Sequence, residues 1–574
     1  MTQTTETAGI VRGLFAGSFA EELLEPYPKM REDEKENLEL LLDSVRKFAE
    51  KEIDSQAIDE GGKIPESVKD GLAELGVMGV TIPEEHGGFG WSATAYCRMM
   101  EEISLYDASV ATHIGGHLSL GSKGIVLYGT EEQKKRFLPK IATGEWICAY
   151  ALTEPSSGSD AQALKSRAVF DPARNVWVLN GNKIWCTNGG YAHVIQTFAR
   201  TPMPDGREKI TAFLVTRDLP GFTSGKPEYK MGIKGSNTVE LSFVDVPVPA
   251  ENLVGEPGRG FKIAVEILNT GRLSLAAGCV GGIKVAIRKA LEHGETRQQF
   301  GKPIIEFEML KEKFAEMAVD AFALESMVYL AAGLHDRKLD ASIEAAICKI
   351  FGTEALWRAT NHAVQVAGGT GFMREYPYER AVRDARVNMI FEGTNEILRV
   401  LIALTGMQKR GEYLKTVGEA LKSPLSHTSV LSEYAAGRLR RAVKPERLHF
   451  VHEALRDQAA LLEAQTADFA GQVEAVIRRE RSHLVEREYL QRRLADAAID
   501  LYAMLATLSR VTSSIKERGE AEAADEIRMA RVFCDAAWRR VRRNVRAVES
   551  NHDEDLDAIV AGLRERKGYT STLG

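Results

Sequence analysis

One acidic side chain, Glu392, stands in an unusual setting within the stretch RVNMIFEGTNEILRV. The bulky apolar residues 389–391 precede it, and it is followed by Gly393, a flexible residue at which the backbone can turn. A carboxylate surrounded by apolar groups is harder to ionise, so its pKa rises toward the range that suits a general base. The alternative interpretation is a surface acid near the end of a helix, and these residues alone leave both open.

Two other stretches combine hydroxyl side chains with glycine-rich turns and aromatic rings. They are AYALTEPSSGSDA at 149–161 and KIWCTNGG at 183–190. Such groups can hydrogen-bond the edge of a planar heterocycle while an indole covers its face. Two well-capped turns in a β-domain would have the same composition. The chain has neither a G-x-G-x-x-G motif after a strand nor a P-loop, so a nucleotide would be held in another way.

The periodicity of apolar residues divides the chain into segments that must position these groups. Apolar residues recur at helical spacing in the first part, and a helix there is predicted to begin with a cap at Thr130. One apolar stripe comprises Leu38, Leu41, Leu42, Val45 and Phe48. Short β-branched and aromatic runs separated by turns follow, and helical spacing then returns. This order predicts a mainly α protein with a small, antiparallel middle β-domain. The predicted segments are an N-terminal extension (1–31), a helical domain (32–149), the β-domain (150–255), a helical bundle (256–410), a linker (411–449) and a second helical domain (450–574).

Composition excludes several classes of function. The 574 residues are 44% hydrophobic and 27% charged, with a net charge of -7 that argues against a nucleic-acid binder. The six cysteines are scattered without metal-ligand spacing, which predicts reduced thiols and no metal site. We find no apolar run of membrane-span length and no signal core at the N-terminus, so a cytoplasmic location is expected.

Seven ordered motifs identify the chain as resembling the acyl-CoA dehydrogenase family. They are AYALTEPSSGSDA, KIWCTNGG, MGIKGSNT, TRQQFGKP, QVAGGTGF, RDARV and IFEGTNEILR. The resemblance implies an N-terminal helical domain, a middle β-barrel domain and a C-terminal four-helix bundle. The later stretch QRRLADAAIDLYAMLATLSR resembles the additional helical domain of the very-long-chain branch.

The family's activity is then the expected one. It is the FAD-dependent α,β-dehydrogenation of long- or very-long-chain acyl-CoA to trans-2-enoyl-CoA in fatty acid β-oxidation. The resemblance implies that Glu392 removes the α-proton, that flavin N5 takes the β-hydride, and that electrons pass to electron-transferring flavoprotein. An acyl-CoA oxidase, a dehydrogenase of another thioester and an assembly factor for a respiratory complex remain alternatives on the same fold.

The resemblance also assigns residues to FAD. Thr153 is expected near the pyrimidine edge, Trp185 over the ring, and Thr187 at N5. The residues expected to contact FAD within the same subunit are Tyr150, Leu152, Thr153, Ser159, Trp185, Thr187, Thr394 and Glu396. Those expected to reach the FAD of a neighbouring subunit are Arg297, Gln299, Phe300, Gln365, Gly368 and Gly369. A site completed by a second copy requires at least a dimer, and we expect a homodimer.

Substrate contacts are implied for a further set, namely Ser159, Asn269, Gly271, Arg272, Phe391 and Gly393. Gly271 occupies the slot where some branches carry their base, and glycine cannot accept a proton, so this duty falls to Glu392. A glycine there would also let a long acyl chain pass, although a glycine tolerated for helix packing is the alternative. The basic segment 411–450 could contact an anionic membrane surface, with a solvated linker as the competing interpretation.

Overall fold

The computed structural model describes residues 9–420, 432 and 446–569, and the chain forms two compact units. The main unit spans residues 27–397. The terminal unit joins the described residues of 1–26 to those of 398–574. The first helix of the described residues, α1 (Ile10–Ala16), therefore belongs to the terminal unit.

The main unit begins with helices whose apolar stripes face a common core. On α2, Leu38, Leu41, Leu42 and Val45 are buried, as their helical spacing predicts. The helix predicted to start at Thr130 does so, since the Thr130 hydroxyl accepts from the Gln133 backbone N–H at 3.2 Å in a capping box. The helices of this part are α2 (Glu32–Glu52), α3 (Ser55–Gly61), α4 (Glu66–Glu74), α5 (Ala93–Ile103), α6 (Ala108–Gly115), α7 (Lys123–Tyr128) and α8 (Glu131–Ala142).

An eight-stranded sheet follows, in the order β6-β7-β3-β2-β4-β5-β8, with β1 paired to β4. Most pairs are antiparallel, but β1 and β2 both pair with β4 in parallel, which the prediction of an antiparallel domain missed. Phe198, Phe213 and Phe243 are fully buried in its core or nearly so. The strands are β1 (Cys148–Ala151), β2 (Arg167–Asp171), β3 (Val176–Thr187), β4 (Val194–Pro202), β5 (Glu208–Thr216), β6 (Phe222–Ser224), β7 (Thr238–Pro249) and β8 (Leu253–Val254).

Three long helices, α9 to α11, pack together after the sheet. α9 and α10 reach a mean hydropathy of 1.3 and 1.4 over 18 residues, contrary to our expectation that no segment would resemble a membrane span. In α9 and α10, 61% and 78% of these 18-residue stretches are buried inside the structure, so both are core helices. The elements are α9 (Gly260–Thr296), the hairpin strands β9 (Gln298–Gln299) and β10 (Lys302–Pro303), α10 (Glu308–Asp336), α11 (Ser342–Ala367), α12 (Gly369–Phe372) and α13 (Pro377–Arg386).

The terminal unit is helical, as predicted for the additional domain. Its helices are α14 (Asn395–Ala420), α15 (Arg456–Glu480), α16 (Glu488–Arg518), α17 (Ala524–Ala547) and α18 (Asp553–Arg566), of which α14 begins in the main unit. Residues 411–420 are thus helical, whereas a linker was predicted from 411. Most of the rest of the predicted membrane-contacting segment, residues 421–431 and 433–445, lies outside the described residues.

The partner of the N-terminal segment was not predicted. The ring of Phe15 on α1 packs edge-on against Phe469 of α15, with centroids 4.9 Å apart. Ile10, Val11 and Leu14 are buried as well. The first described helix of the chain and the last domain therefore share one apolar core.

Candidate active site

Glu392 lies in a non-helical turn between a 3-10 helix at Val387–Met389 and the start of α14. Glu392 and Gly393 both adopt left-handed conformations, with φ of 56° and 94°. Glycine accepts this region without cost, which agrees with the turn expected at Gly393. A left-handed glutamate, in contrast, is strained by about 1–3 kcal/mol, and such strain is concentrated at functional sites.

The carboxylate of Glu392 lies directly over α9. A Cβ atom placed on Gly271 would be 2.9 Å from Glu392 Oε2, 3.0 Å from Oε1 and 2.9 Å from a methyl carbon of Leu120. Although the residue as a whole is partly exposed, its Oε2 is buried and has no hydrogen-bond partner in the described part of the chain. Glu392 is therefore not a surface acid, and a side chain at position 271 would collide with it.

Burial raises the pKa of Glu392 to about 7, while the nearby charges of Arg272 and Lys349 act to lower it. The sequence predicted this direction from the apolar residues before Glu392. A carboxyl group with a pKa near 7 changes its protonation state at neutral pH, which suits a general base.

Two buried cations on different helices bind the carbonyl groups of this turn. Arg272 Nε on α9 donates to the Glu392 carbonyl oxygen at 3.1 Å, and its Nη1 donates to Asn269 Oδ1 at 2.8 Å. Lys349 Nζ on α11 donates to the Gly393 carbonyl oxygen at 2.9 Å. Arg272 and Asn269 were predicted near the substrate, and the structure brings both to Glu392.

Tyr150 on β1 also lies close to this group. Its hydroxyl donates to the Ala264 carbonyl oxygen of α9 at 3.3 Å, which ties the sheet to the helix that carries Gly271. Burial raises the pKa of Tyr150, and the charges of Arg272 and Glu392 both act on it. Phe391, which was predicted to contact the substrate, is partly buried.

The two glycine- and hydroxyl-containing stretches of the sheet are held together. The Ile184 N–H donates to the Thr153 carbonyl oxygen at 2.9 Å. Lys183 Nζ donates to the Leu152 carbonyl oxygen at 3.2 Å and to Glu154 Oε1 at 2.7 Å. These bonds cross between residues 152–154 and 183–184, so the two sequence motifs form one surface.

The surface formed by these two motifs has the features expected of a binding site for a planar ring. The Trp185 side chain is 64% exposed on a residue with φ of 57°, so a large apolar ring stands open at the end of β3. Thr187 closes the strand and packs on Gly116, where a Cβ would lie 2.8 Å from the Thr187 methyl carbon. An open indole beside hydroxyl groups on a rigid sheet fits the isoalloxazine of FAD. Ser159, in the same first motif, is exposed.

Comparison with known proteins agrees with this geometry. Family models described as the acyl-CoA dehydrogenase N-terminal, middle and C-terminal domains match residues 35–145, 149–246 and 258–406. The ACAD9/ACADV C-terminal domain matches residues 453–568. The very long-chain specific acyl-CoA dehydrogenase, mitochondrial, of Bos taurus is 42% identical across 98% of this chain and 88% of its own length. The chain belongs to the acyl-CoA dehydrogenase family.

Solved structures of acyl-CoA dehydrogenase type share the fold. An acyl-CoA dehydrogenase complexed with FAD from Bacillus anthracis has a TM-score of 0.81 and 31% identity, covering 97% of this chain and 95% of that chain. A chain in the solved structure of the electron transferring flavoprotein of Acidaminococcus fermentans has a TM-score of 0.63 and 36% identity. The match covers 66% of this chain and 99% of that one. The Bos taurus relative is mitochondrial by name, which does not support the predicted cytoplasmic location.

Some residues of this chain were expected to contact the FAD of a neighbouring subunit. They lie far along the chain's helices from the residues that surround Glu392. Gln365 follows Lys349 on α11 by about 24 Å of helix, and Arg297 follows Gly271 along α9 by about 39 Å. Both groups are on the surface, and Phe300 in the β9–β10 hairpin is 93% exposed. The exposed members are Arg297, Gln299, Phe300, Gln365, Gly368 and Gly369.

Thr394 and Glu396 lie just past Glu392 in the chain. The Thr394 hydroxyl accepts from the Ile397 N–H at 3.3 Å, which caps the first turn of α14. Both residues line a surface cleft together with Glu354, Arg386, Met389, Ile390 and Asn395. This placement leaves them available to a ligand on the outer side of the turn.

Lys349 is the residue of the site that sequence reasoning missed. It is fully buried, and burial lowers its pKa to about 8. The available signal was a single cation inside the otherwise apolar run AAICKIFG of a helix. A buried lysine requires a polar partner, but its partner is 44 positions away in the chain and could not be identified from the sequence.

Proposed function

We propose that the protein is an FAD-dependent acyl-CoA dehydrogenase that converts long- or very-long-chain acyl-CoA to trans-2-enoyl-CoA in fatty acid β-oxidation. The observation that carries this proposal is the Glu392 carboxylate, which is desolvated over Gly271 and has an unpartnered Oε2. An acid so placed can accept a proton from the α-carbon of a thioester that lies against it.

The chain's own groups can favour this proton transfer. The α-carbon of a thioester is a weak acid, so charge that develops on the thioester oxygen has to be stabilised. The Glu392 backbone N–H has no acceptor among the described residues and can donate to that oxygen. Preorganised donors of this kind contribute about 3–4 kcal/mol each in related oxyanion sites. FAD, held by Thr153, Trp185 and Thr187, supplies the two-electron acceptor when it is bound.

The preference for long acyl chains rests on two supports. The similarity to a very long-chain specific relative extends over 98% of this chain, including the additional helical domain. At the base itself, Gly271 contributes no side chain that would occupy the space beside Glu392. The membrane contact predicted for 411–450 falls mostly outside the described residues and remains a prediction.

The assembly and the electron acceptor are part of the same proposal. The exposed hairpin residue Phe300 and the exposed end of α11 at Gly368 are suited to contact a second copy. A homodimer in which these residues complete the partner's FAD site accounts for their distance from the chain's own base. Electron-transferring flavoprotein is the proposed acceptor of the electrons.

An anaerobic titration of the purified holoenzyme tests the activity and its range. Thioesters of graded length, from butyryl-CoA to stearoyl-CoA, are added while bleaching of the flavin absorbance is followed. We expect the strongest bleaching with the long chains. Strongest bleaching by butyryl- or isovaleryl-CoA would overturn the chain-length proposal, and no bleaching by any of these thioesters would overturn the dehydrogenase proposal itself.

A further inference from the structure

The turn that presents Glu392 is held from two sides by buried cations. The carbonyl oxygen of Glu392 accepts from Arg272, and the next carbonyl oxygen, that of Gly393, accepts from Lys349 at 2.9 Å. These two carbonyl groups belong to the two left-handed residues of the turn. Because a left-handed glutamate is strained, the turn persists only where its surroundings hold it.

Lys349 also binds the residue that starts α14. Its Nζ donates to Asn395 Oδ1 at 2.9 Å, and Asn395 Nδ2 donates to Thr353 Oγ1 and Glu354 Oε1, both at 3.1 Å. Lys349 and Thr353 lie one turn apart on α11 and Glu354 follows Thr353, and the three bind Asn395 as one polar strip. This strip fixes the chain on the far side of Gly393.

We propose that Lys349 is a positioning residue for the base, because its ammonium group binds the Gly393 carbonyl and the Asn395 side chain and thereby fixes the turn that presents Glu392. The inference rests on the proposed function, in which Glu392 is the base. Lys349 acts through the turn and through its charge, and it does not contact the substrate.

The charge of Lys349 has a second effect on the same carboxylate. A positive charge favours the ionised form, so Lys349 lowers the pKa of Glu392 against the larger, raising effect of burial. Other groups also interact with this carboxylate electrostatically and stay in place when Lys349 is changed. They are Arg272 and Cys279 on α9, Tyr150 on β1 and Tyr96 on α5.

Lys349→Met tests the proposal, because methionine keeps the length of the side chain but removes its charge and its hydrogen bonds. The midpoint for protonation of Glu392 is measured in the holoenzyme by infrared titration, with Glu392→Gln as the blank that identifies the carboxyl band. We expect the midpoint to rise by about one pH unit, as loss of one nearby opposite charge implies. kcat for palmitoyl-CoA should fall at least tenfold while KM changes less than threefold.

Two further variants separate positioning from general support of the fold. Lys349→Arg, which keeps the charge and the donors, should restore the midpoint and part of kcat. Arg358→Met removes an exposed cation from the same helix, where it pairs with Asp320 at 2.7 Å, and should leave both readouts unchanged. An unchanged midpoint in Lys349→Met would overturn the proposal even if kcat fell, because loss of packing alone lowers activity without moving a titration.

If Lys349→Met does not accumulate as a holoenzyme, Asn395→Ala provides the second route. This variant removes one acceptor of the ammonium group but keeps its charge, so kcat should fall while the midpoint stays constant. Wild-type kcat in Asn395→Ala would overturn the role in positioning. A wild-type protein that fails to oxidise palmitoyl-CoA would refute the proposed function. The infrared titration needs no turnover, so it would still show whether Lys349 affects the protonation of Glu392.

Discussion

The Glu392 carboxylate and the backbone of Gly271 share one small volume, since a Cβ on Gly271 would stand 2.9 Å from Glu392 Oε2. A side chain at position 271 would therefore displace the carboxylate of Glu392. In this chain the acid comes from the strained turn after α13, and the helix position opposite is empty. The same glycine that cannot act as a base provides the space for the residue that we propose as the base.

Gly271→Ala should reduce activity with little loss of stability. The added methyl group meets the carboxylate of Glu392 and a methyl group of Leu120, both ends of flexible side chains that can move aside. We expect kcat to fall at least tenfold while the melting temperature changes by less than about 3 °C. Gly278→Ala, on the same helix as Gly271, is the matched control. Its Cβ would lie 2.8 Å from the Ser104 hydroxyl oxygen, away from Glu392. Equal losses in both variants would contradict this prediction.

Glu392→Gln should retain FAD and lose catalysis. Glutamine fills the same space and leaves the cofactor surface unchanged, but it cannot accept the α-proton. We expect reduction of the flavin by palmitoyl-CoA to slow by more than about a hundredfold in stopped-flow absorbance, as removal of a general base does. The exposed Glu375→Gln provides the control and should react at the wild-type rate. A fast reaction in Glu392→Gln would assign the base to another residue.

The rate should depend on pH through the ionisation of Glu392. The protonated acid is inactive and the pKa is raised from 4.5 to about 7 by burial, so activity is lost as pH falls through this value. We expect kcat/KM, which reports groups of the free enzyme, to rise with unit slope below about pH 7 and to level off above it. A profile that is flat between pH 5 and pH 8 would show that no group with this pKa is required.

The ion pair between Lys183 and Glu154 should be important for the stability of the β-domain. Both side chains are almost completely buried, and their atoms are 2.7 Å apart. Lys183→Met leaves a buried carboxylate without its cation, which costs about 3–5 kcal/mol. Urea unfolding should shift accordingly, and Lys183→Met/Glu154→Gln should recover part of the loss. The exposed pair Arg167–Glu208 supplies the control, since Arg167→Met should cost less than about 1 kcal/mol.

Much of the site could be predicted because its signals are local. The apolar residues before Glu392 indicated a raised pKa, and Gly393 indicated a turn. The left-handed conformation of Glu392 itself was not foreseen, since it depends on the hydrogen bonds that Arg272 and Lys349 make from other helices. No pattern within a window of the sequence reports such bonds.

The fold shows the same division between local and distant information. The helical spacing on α2 and the cap at Thr130 predicted elements that the structure contains. The parallel pairing of β1 with β4 was missed, because residues that pair, such as Tyr150 and Gln196, are brought together only by the intervening strands. The partner of α1 was missed for the same reason.

The contact between Phe15 and Phe469 has a consequence for biosynthesis. During translation, α1 is made before the main unit, and the α15 helix that packs on its apolar face is made more than 400 residues later. Until α15 has been made, Ile10, Val11 and Leu14 lack their native packing partners, and we expect chaperones to bind this nascent segment. The core of the terminal unit can therefore form only after the intervening main unit has been synthesised.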